Sequence, residues 1–326
     1  MVYRIGEGWS PSLSDVENAL QAERFVECGA TQDKSVGWAE PRGQEHGPLV
    51  ESVGGQWIAK LVIESKAVPG NVVRRKLDEQ VAEIEAATGR KPGKKEKRNL
   101  QDEILLSLLP QAFARQSSVL VWLDMKARRL VLNAGSQGKA DEAVSALLKA
   151  MPGLSIALLQ TATTPQAAMT EWLLAPAPED WPADLCVERE CTLKATGEDA
   201  ASIRYVRHHL LSDDVRKHVT EGKLPTQLAL SWDGRVAFVL TETLQLKKVQ
   251  FLDGVMDASG TDRSEDRFDA DVALSTGLLS PLLDSLIEAL GGEMAWGESA
   301  SAATPEAPAA PITPPVAPVD ADDPPF

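Results

Sequence analysis

Hydrophobic positions along the chain alternate between two periods, and this alternation predicts a mixed α+β fold. Apolar residues spaced three and four apart predict helices over residues 14–26, 96–109, 139–150, 165–174, 213–220 and 278–290. The same spacing predicts a further helix that begins after Pro69-Gly70. Runs rich in β-branched and aromatic residues predict strands over residues 2–5, 49–52, 56–64, 118–124, 129–133, 156–160, 186–194, 203–206, 227–232, 235–241 and 244–252. Gly54-Gly55 and Asp233-Gly234 predict tight turns between strands. We therefore expect several antiparallel hairpins combined with helices.

The two predicted helices within residues 72–109 have narrow apolar stripes. Their apolar residues are Val73, Leu77, Val81 and Ile84 in the first, and Leu100, Ile104, Leu105, Leu108 and Leu109 in the second. The segment GRKPGKKEK separates them, and its glycines and proline exclude one continuous helix. A narrow stripe buries few side chains, so most of this stretch is expected to face solvent or a ligand.

Composition changes divide the chain into three parts. Residues 175–182, APAPEDWP, form a proline-rich connection and the best internal boundary. We expect an N-terminal α/β region over residues 1–175, which carries the two basic helices, and a C-terminal α/β region over 176–295. Residues 296–326 consist almost entirely of Ala, Pro, Ser, Thr and acids, which predicts a disordered acidic tail. A solubilising role is the favoured interpretation of this tail, and competition for a basic face is the other.

Charge singles out the same helical stretch. Residues 60–100 hold eleven Lys or Arg and six acids, a local balance of +5, whereas the whole chain carries −15. Such asymmetry is typical of a polyanion-binding face. Alternating Lys and Glu is equally typical of a solvated helix face, so charge alone leaves both interpretations open. Lysines at the start of the second helix favour a phosphate site there, because free amide groups at a helix N-terminus attract anions.

Known catalytic and base-reading signatures are missing from the sequence. It contains no zinc-finger spacing, HExxH motif, dinucleotide fingerprint or RNA-recognition motif, and the basic stretch lacks aromatic stacking residues. Backbone-directed, sequence-independent duplex binding fits these residues better than base reading. No apolar run approaches the roughly 20 residues that cross a bilayer, and three cysteines suit a reducing compartment. We expect a soluble, unexported protein without membrane contact.

Three weaker motifs favour structural explanations. Cys186 and Cys191 lack metal-ligand spacing. The segment Gly135 to Lys139 resembles a phosphate-binding loop, but Ala140 replaces the hydroxyl residue that would hold magnesium. The histidines His208, His209 and His218 lie near several arginines and have no catalytic partner at a recognisable spacing, which indicates a second basic surface. We therefore predict no cofactor and no metal.

A carboxylate cluster carries the main alternative, a metal-dependent nuclease. Its acids are Asp262, Glu265, Asp266, Asp269 and Asp271. Asp266, Asp269 and Asp271 could bind Mg²⁺ if Asp269 and Asp271 share one face of a strand. Arg263 and Arg267 interleave with these acids, so local ion pairing explains the cluster more simply. A third interpretation is an adaptor whose acidic surface binds a protein partner and no DNA.

Several segments, in order, resemble the recombination-associated protein RdgC of proteobacteria. They are DEILLSLLPQAF at 102–113, MTEWL at 169–173, LALSW at 228–232, RFDAD at 267–271 and LIEALGG at 286–292. The resemblance implies a non-enzymatic homodimer that closes as a ring around double-stranded DNA and restrains the RecA recombinase. It also implies a cytoplasmic, nucleoid-associated protein, with duplex DNA, a second copy and RecA as partners.

The resemblance and the charge pattern together assign candidate site residues. The candidate DNA contacts are Lys66, Arg74, Arg75, Lys76, Arg90, Lys91, Lys94, Lys95, Lys97 and Arg98. For the contact that closes the ring, the resemblance implies Gln111, Phe113, Arg207 and His208. Gln111 departs from the family, which commonly has Arg at that position, and this weakens its assignment to the contact.

Overall fold

The computed structural model describes residues 1–197, 201–252 and 264–295, with side chains given from residue 267 onward in the last range. Seven helices are present in these ranges: α1 Leu13–Gln21, α2 Gly70–Thr88, α3 Lys94–Leu108, α4 Gln137–Ala150, α5 Pro165–Leu174, α6 Asp213–Thr220 and α7 Ser264–Ala289. Short 3-10 turns cover Leu109–Gln111 and Pro178–Asp180. The predicted tail over 296–326 lies outside the described residues and stays a prediction, as does the division at 175.

Twelve strands form two antiparallel sheets within the described ranges, which confirms the α+β class. The strands are β1 Val2–Ile5, β2 Lys34–Ala39, β3 Val50–Val53, β4 Gln56–Lys66, β5 Ala114–Asp124, β6 Arg129–Asn133, β7 Ile156–Leu158, β8 Leu185–Ala195, β9 Ser202–Val206, β10 Lys223–Trp232, β11 Val236–Thr241 and β12 Leu246–Phe251. The first sheet has the order β2-β4-β5-β6-β1-β7, with β3 also paired to β4. The second has the order β12-β11-β10-β8-β9.

The first sheet buries apolar side chains on both faces because neighbouring strand residues point in opposite directions. Leu61 and Ile63 of β4 pack with α1 and α4 in one core cluster. Ile58 of β4 and Trp122 of β5 belong to the other cluster, which also contains the interior of the second sheet with α5, α6 and α7. Trp57, Leu61 and Ile63 of β4 belong to one cluster and share one face of the strand.

Turn residues fix the hairpins as the sequence predicts. Gly54 and Gly55 have φ values of 59° and 83°, which a tight turn of the primed type requires. Asp233 and Gly234 have φ values of 47° and 61°, so the β10–β11 turn has the same character. Both positions therefore set the register of the strands that they join.

The largest differences from the predicted elements concern α1, β2 and α7. Helix α1 begins at Leu13 after Ser12, whose side chain accepts from the Asp15 amide, and it ends at Gln21, five residues before the predicted end at 26. Strand β2 was not predicted. Helix α7 begins at Ser264, fourteen residues before the predicted start at 278, and continues through Pro281.

Helix α7 belongs to the protein core although residues 267–289 are long and apolar enough to cross a membrane by length and composition alone. Leu282, Leu283 and Leu286 are buried in the core cluster with the second sheet. On its polar side, Asp284 forms an ion pair with Arg129 of β6 at 2.6 Å. Packing against both sheets explains the apolar composition of this helix.

Candidate nucleic-acid interface

Helices α2 and α3 form a helical hairpin, residues 70–108, inserted between the end of β4 and the start of β5. Lys66 and Ala114 are register partners in those strands, so both ends of the hairpin leave the sheet at one place. Val73 is the only buried residue of α2, and Ile104 is the only one of α3. The hairpin therefore exposes most of its length, as its narrow apolar stripes predict.

The connection between the two helices ends one helix and starts the next. Gly89 adopts the left-handed conformation, with φ of 73°, and its amide donates to the Glu85 carbonyl at 2.8 Å. Gly93 is extended and precedes α3, while Pro92 between them is buried. The turn folds α3 back against α2 and places the basic segment 90–98 at the tip of the hairpin.

Nine of the ten candidate DNA contacts lie on this hairpin, and eight of those nine are exposed; Lys76 is half-buried. Three form surface ion pairs: Arg75 with Glu79 at 3.9 Å, Arg90 with Glu96 at 3.4 Å, and Lys91 with Glu85 at 3.7 Å. Within the described residues, the other six make no ion pair; they are Arg74, Lys76, Lys94, Lys95, Lys97 and Arg98. These six cations are available to an external anion.

The unpaired cations form two groups along the hairpin. Arg74 and Lys76 lie near its base, within one turn of buried Val73, and Lys94, Lys95, Lys97 and Arg98 lie at its tip. By helical rise, Lys76 and the tip are roughly 20 Å apart. The two groups can therefore contact different phosphates of one polymer.

The N-terminus of α3 differs from the predicted phosphate site. The Glu96 carboxylate accepts from the Gly93 amide at 3.3 Å and pairs with Arg90 at 3.4 Å. A carboxylate of the chain itself thus lies where an external anion was expected. An anion at this tip would be held by the lysine side chains rather than by helix amide groups.

Lys66 has a structural role that its sequence position did not reveal. Its Nζ donates to the carbonyls of Gly29 at 2.7 Å and Cys28 at 3.3 Å, which ties β4 to the segment after α1. The neighbouring Glu64 is buried and accepts from the Gln116 side chain and the Cys28 amide, both at 2.7 Å. These bonds, led by that from Gln116, lower the pKa of Glu64. Lys66 is therefore less free to meet a phosphate than the tip lysines.

The residues implied for ring closure lie on two separate segments. Gln111 and Phe113 follow α3 and are exposed, and 94% of Phe113 is accessible. Arg207, exposed with φ of 56°, follows β9. His208 stacks on Tyr205 with 5.0 Å between ring centroids, and its Nε2 lies 3.2 Å from the Ser212 hydroxyl. Both segments present side chains to solvent, and their use in a contact stays a prediction.

Two exposed residues next to this site were missed by the sequence reasoning. Leu106 lies off the apolar stripe of α3 and is 51% exposed, so it adds apolar surface before Phe113. Arg115, the register partner of Ser65, is exposed where β5 begins. The signal for Leu106 was its mismatch with the helical period, and Arg115 lay beyond the counted basic stretch.

The acidic cluster is arranged differently from the predicted metal site. Asp269 and Asp271 lie on helix α7 rather than at the start of a strand, so the expected shared face is wrong. Residues two apart on a helix diverge by about 200°, from 3.6 residues per turn. Asp269 pairs with Arg42 at 2.6 Å, and Asp271 pairs with Arg267 at 3.9 Å. The side chains of Asp262, Glu265 and Asp266 lie outside the described part of the chain.

The weaker motifs have structural surroundings. Among described residues, no group of three His, Cys, Asp or Glu side chains is placed to hold a metal. Cys191 is buried, which raises the pKa of its thiol to about 12, whereas Cys186 is exposed. Helix α4 begins at Gln137 with Ser136 as its cap, so Gly138 lies inside the first helical turn. This arrangement is a capped helix and differs from a glycine loop that surrounds a phosphate.

Comparisons with known proteins agree with the resemblance. A family model described as "RdgC: Putative exonuclease, RdgC" matches residues 1–293. The chain is 39% identical over 298 residues to the Recombination-associated protein RdgC of Dechloromonas aromatica (strain RCB), covering 90% of this chain and 96% of that relative. The protein of that name from Herminiimonas arsenicoxydans is 38% identical over 296 residues, covering 90% and 97%. The chain belongs to the RdgC family.

Proposed function

We propose that this protein binds double-stranded DNA without sequence preference, as a dimer that closes around the duplex, and that it acts in homologous recombination. The observation that carries the proposal is the group of six cations that form no ion pair within the described residues, on a hairpin whose two helices bury one residue each, in a chain of net charge −15. An acidic protein gains nothing in solubility from concentrating cations on one projection. A phosphate backbone provides the opposite charge.

A ring geometry accounts for the charge distribution. Only the surface that faces the hole of a ring meets phosphates, so the outer surface is free to be acidic. Two groups of cations roughly 20 Å apart on each hairpin can follow a backbone that carries one charge per about 1.7 Å of duplex axis. The acidic outer surface also repels DNA that approaches from outside, which favours binding within the hole.

Duplex DNA fits this surface better than single strands. Residues 70–108 contain no Phe, Trp, Tyr or His, so the hairpin offers no platform on which unpaired bases could stack. Lysines predominate at its tip, and Lys acts as a flexible point charge rather than as a reader of base edges. Phosphate contact without base reading follows from this composition.

The recombination role rests on the relatives. Proteins 36% to 40% identical to this chain bear the name Recombination-associated protein RdgC. Restraint of RecA extends this role: a ring that occupies duplex DNA would block a recombinase that needs the same backbone. The protein would then act in the cytoplasm, on the nucleoid. A strand-exchange assay with RecA, with and without this protein, tests the extension.

Reversing the tip charge tests DNA binding directly. The variant carries Lys94→Glu, Lys95→Glu and Lys97→Glu. Its control carries Lys126→Glu, Lys194→Glu and Lys217→Glu, at exposed lysines that pair with no acid of the described ranges. Both variants change the net charge by the same amount. We expect the tip variant to lose duplex binding at least 100-fold, by loss and reversal of about three phosphate contacts, and the control to change little. Equal losses in both variants would contradict the proposed site.

The family description names an exonuclease, so nuclease activity is the second candidate function. Incubating linear and closed circular duplex with the protein and Mg²⁺ tests it. We expect no cleavage, because Asp269 is engaged by Arg42 and Asp271 lies on another face of α7. Cleavage that disappears in an Asp269→Ala variant would establish the nuclease in place of the binding function.

A further inference from the structure

We propose that Arg115 and the Ser65 hydroxyl beside it bind one backbone phosphate of the duplex, at the place where the helical hairpin joins the first sheet. The inference rests on the proposed function and adds to it a contact outside the hairpin. Arg115 of β5 and Ser65 of β4 are register partners, in the ladder that ends with Lys66 and Ala114. Both side chains are exposed.

Arg115 lies on the face of the first sheet that also carries α1 and α4. Val119 and Val121 of the same strand are buried in the core cluster with those helices, and residues an even number of positions apart share one face of a strand. Ser117, which lies between Val119 and Arg115, is half-buried. Packing on this face therefore ends before the row formed by Arg115 and Ser65, and the row is an open rim beside the base of the hairpin.

No acid of the described ranges neutralises the Arg115 guanidinium. Its side chain forms no ion pair and no hydrogen bond there. Glu64, next to Ser65, points to the opposite face of β4, where its carboxylate accepts two hydrogen bonds of 2.7 Å. Lys34 of β2 continues the row on the other side of Ser65 and is itself paired with Glu142. The guanidinium is therefore available to an external anion.

A guanidinium beside a hydroxyl group suits a phosphate. Parallel N–H groups of Arg match two phosphate oxygens, and Ser hydroxyls commonly donate to phosphates in protein–DNA contacts. Directly opposite residues of an antiparallel pair have Cβ atoms roughly 5 Å apart, so Arg115 and Ser65 can reach the same phosphate. Strand β5 is paired to β4 without a register shift, so this contact stands on a more rigid support than the flexible lysines of the tip.

The position of Arg115 extends the cations of the hairpin onto the sheet. Helix α2 begins at Gly70, and the path from Ser65 to Arg74 covers five extended steps and one helical turn. Ser65 is therefore at most roughly 20–25 Å from Arg74, which is similar to the separation between the base and the tip of the hairpin. A duplex along the hairpin can meet all three groups, because it carries one charge per about 1.7 Å of its axis.

Two substitutions of Arg115 test the contact. We expect Arg115→Gln to lower duplex affinity about five- to tenfold at about 100 mM salt, and to lower the slope of log affinity against log salt by about one. Arg115→Lys keeps the charge and loses the paired donors, so it should restore the slope and only part of the affinity. Native melting temperatures are expected for both variants, because the side chain is exposed.

Lys126→Gln is the control of equal charge. Lys126 is exposed, pairs with no acid of the described ranges and lies two residues beyond the opposite end of β5. We expect it to change duplex affinity little. Ser65→Ala should lower the affinity about twofold and leave the salt slope unchanged, since it removes one neutral hydrogen bond.

The outcomes separate this contact from DNA binding as a whole. If Arg115→Gln keeps the native affinity and slope, or if Lys126→Gln loses as much affinity, the inference is wrong. DNA binding by the hairpin would still stand in that case, provided that the variant with Glu at residues 94, 95 and 97 loses affinity. Absence of duplex binding by the native protein would instead overturn the proposed function.

Discussion

Phe113 exposes 94% of its side chain, the largest value among the exposed apolar residues of the described structure. An aromatic ring this open gains nothing from the fold of one chain, so its removal should leave folding intact. Burial against a second copy of the chain would remove this ring from water, together with Leu106, which lies seven residues earlier.

We predict that Phe113→Ser changes the free energy of unfolding by less than about 0.5 kcal/mol under conditions where the protein is monomeric. The same variant should shift the dimer toward monomer at least tenfold, as expected for truncation of a central aromatic contact. Sedimentation across a range of concentrations and denaturant unfolding measure the two effects. Val26→Ser is the control, because Val26 is 72% exposed and lies on another part of the fold. A dimer unaffected by Phe113→Ser would remove this residue from the contact.

Glu64 predicts a dependence of stability on pH. Hydrogen bonds from the Gln116 side chain and the Cys28 amide hold the pKa of Glu64 below its ordinary value of 4.5. A carboxyl group with a lowered folded-state pKa stabilises the fold above its unfolded pKa, and this contribution is lost as the pH falls through the folded value. We expect Glu64→Gln to lower the melting temperature by roughly 2–4 °C at pH 7 and by progressively less below about pH 4.5. Glu171→Gln, at an exposed acid, should show no such trend.

Strand β2 forms through backbone pairing and packing although the hydrophobic pattern does not predict a strand there. Its sequence, KSVGWA, begins with polar residues and contains Gly37, which weakens a strand prediction. In the fold, β2 pairs with β4, and its outer edge is covered by the segment after α1: the Phe25 amide donates to the Trp38 carbonyl, and the Trp38 amide donates to the Glu23 carbonyl. A Cβ at Gly37 would lie 2.4 Å from the Phe25 Cα.

We predict that Gly37→Ala destabilises the protein by about 1–3 kcal/mol, because the added methyl group meets backbone that cannot rotate away. Urea unfolding followed by tryptophan fluorescence measures the change, since buried tryptophans lie in both core clusters. Gly8→Ala is the control, since Gly8 lacks positive φ and has no atom within 4 Å of the added Cβ. Equal stability of the two variants would show that the segment before β2 yields.

Helix α7 shows where periodicity misled the sequence prediction. Phe268, Ala270 and Val272 alternate with polar residues and resemble a strand entry, which placed Asp269 and Asp271 on one face. The helix accommodates the same residues because Arg267 and Asp271 pair at the spacing of four. A short alternating run fits both structures, and only the packing of α7 between the sheets decides between them.

The position and exposure of the basic hairpin could be predicted from the sequence, but the ion pairs and hydrogen bonds of its cations could not. Its position, its interruption at Gly89 and Gly93 and its exposed lysines follow from local sequence. The pairing of Arg90 with Glu96, and of Lys66 with the Cys28 and Gly29 carbonyls, depends on how the chain folds back and could not be derived. Sequence therefore located the surface, and the fold selected which cations remain free.

Glu96, in the cap of α3, supports a prediction about the affinity of the hairpin tip for duplex DNA. Glu96 lies at the tip and would repel a nearby phosphate, so we expect Glu96→Gln to raise duplex affinity about two- to fivefold at low salt, as for one removed surface repulsion. Gln retains the hydrogen bond to the Gly93 amide, which preserves the helix start. Glu103→Gln, on the exposed part of the same helix, is the control of equal charge. An equal effect of both variants on a filter-binding isotherm would indicate net charge rather than the position of Glu96.

For the whole molecule, the charge distribution makes salt the most informative variable. If the six unpaired cations of a hairpin each contact a phosphate, affinity should fall about a thousandfold between 50 and 200 mM salt. The variant with Glu at residues 94, 95 and 97 should lose about three from the slope of log affinity against log salt, roughly one per contact. A slope near zero in the native protein would contradict phosphate contact.

Ring closure adds a topological expectation that charge alone does not produce. A closed dimer leaves linear duplex by sliding off its ends, whereas on closed circular duplex it must first open. We therefore expect complexes assembled at low salt and then moved to 200 mM salt to persist longer on closed circles than on linear molecules of the same sequence, and cutting the circle should abolish the difference. Phe113→Ser should also abolish it while native protein binds both forms equally at low salt. Equal lifetimes on circular and linear DNA would argue for an open dimer that grips the backbone from one side.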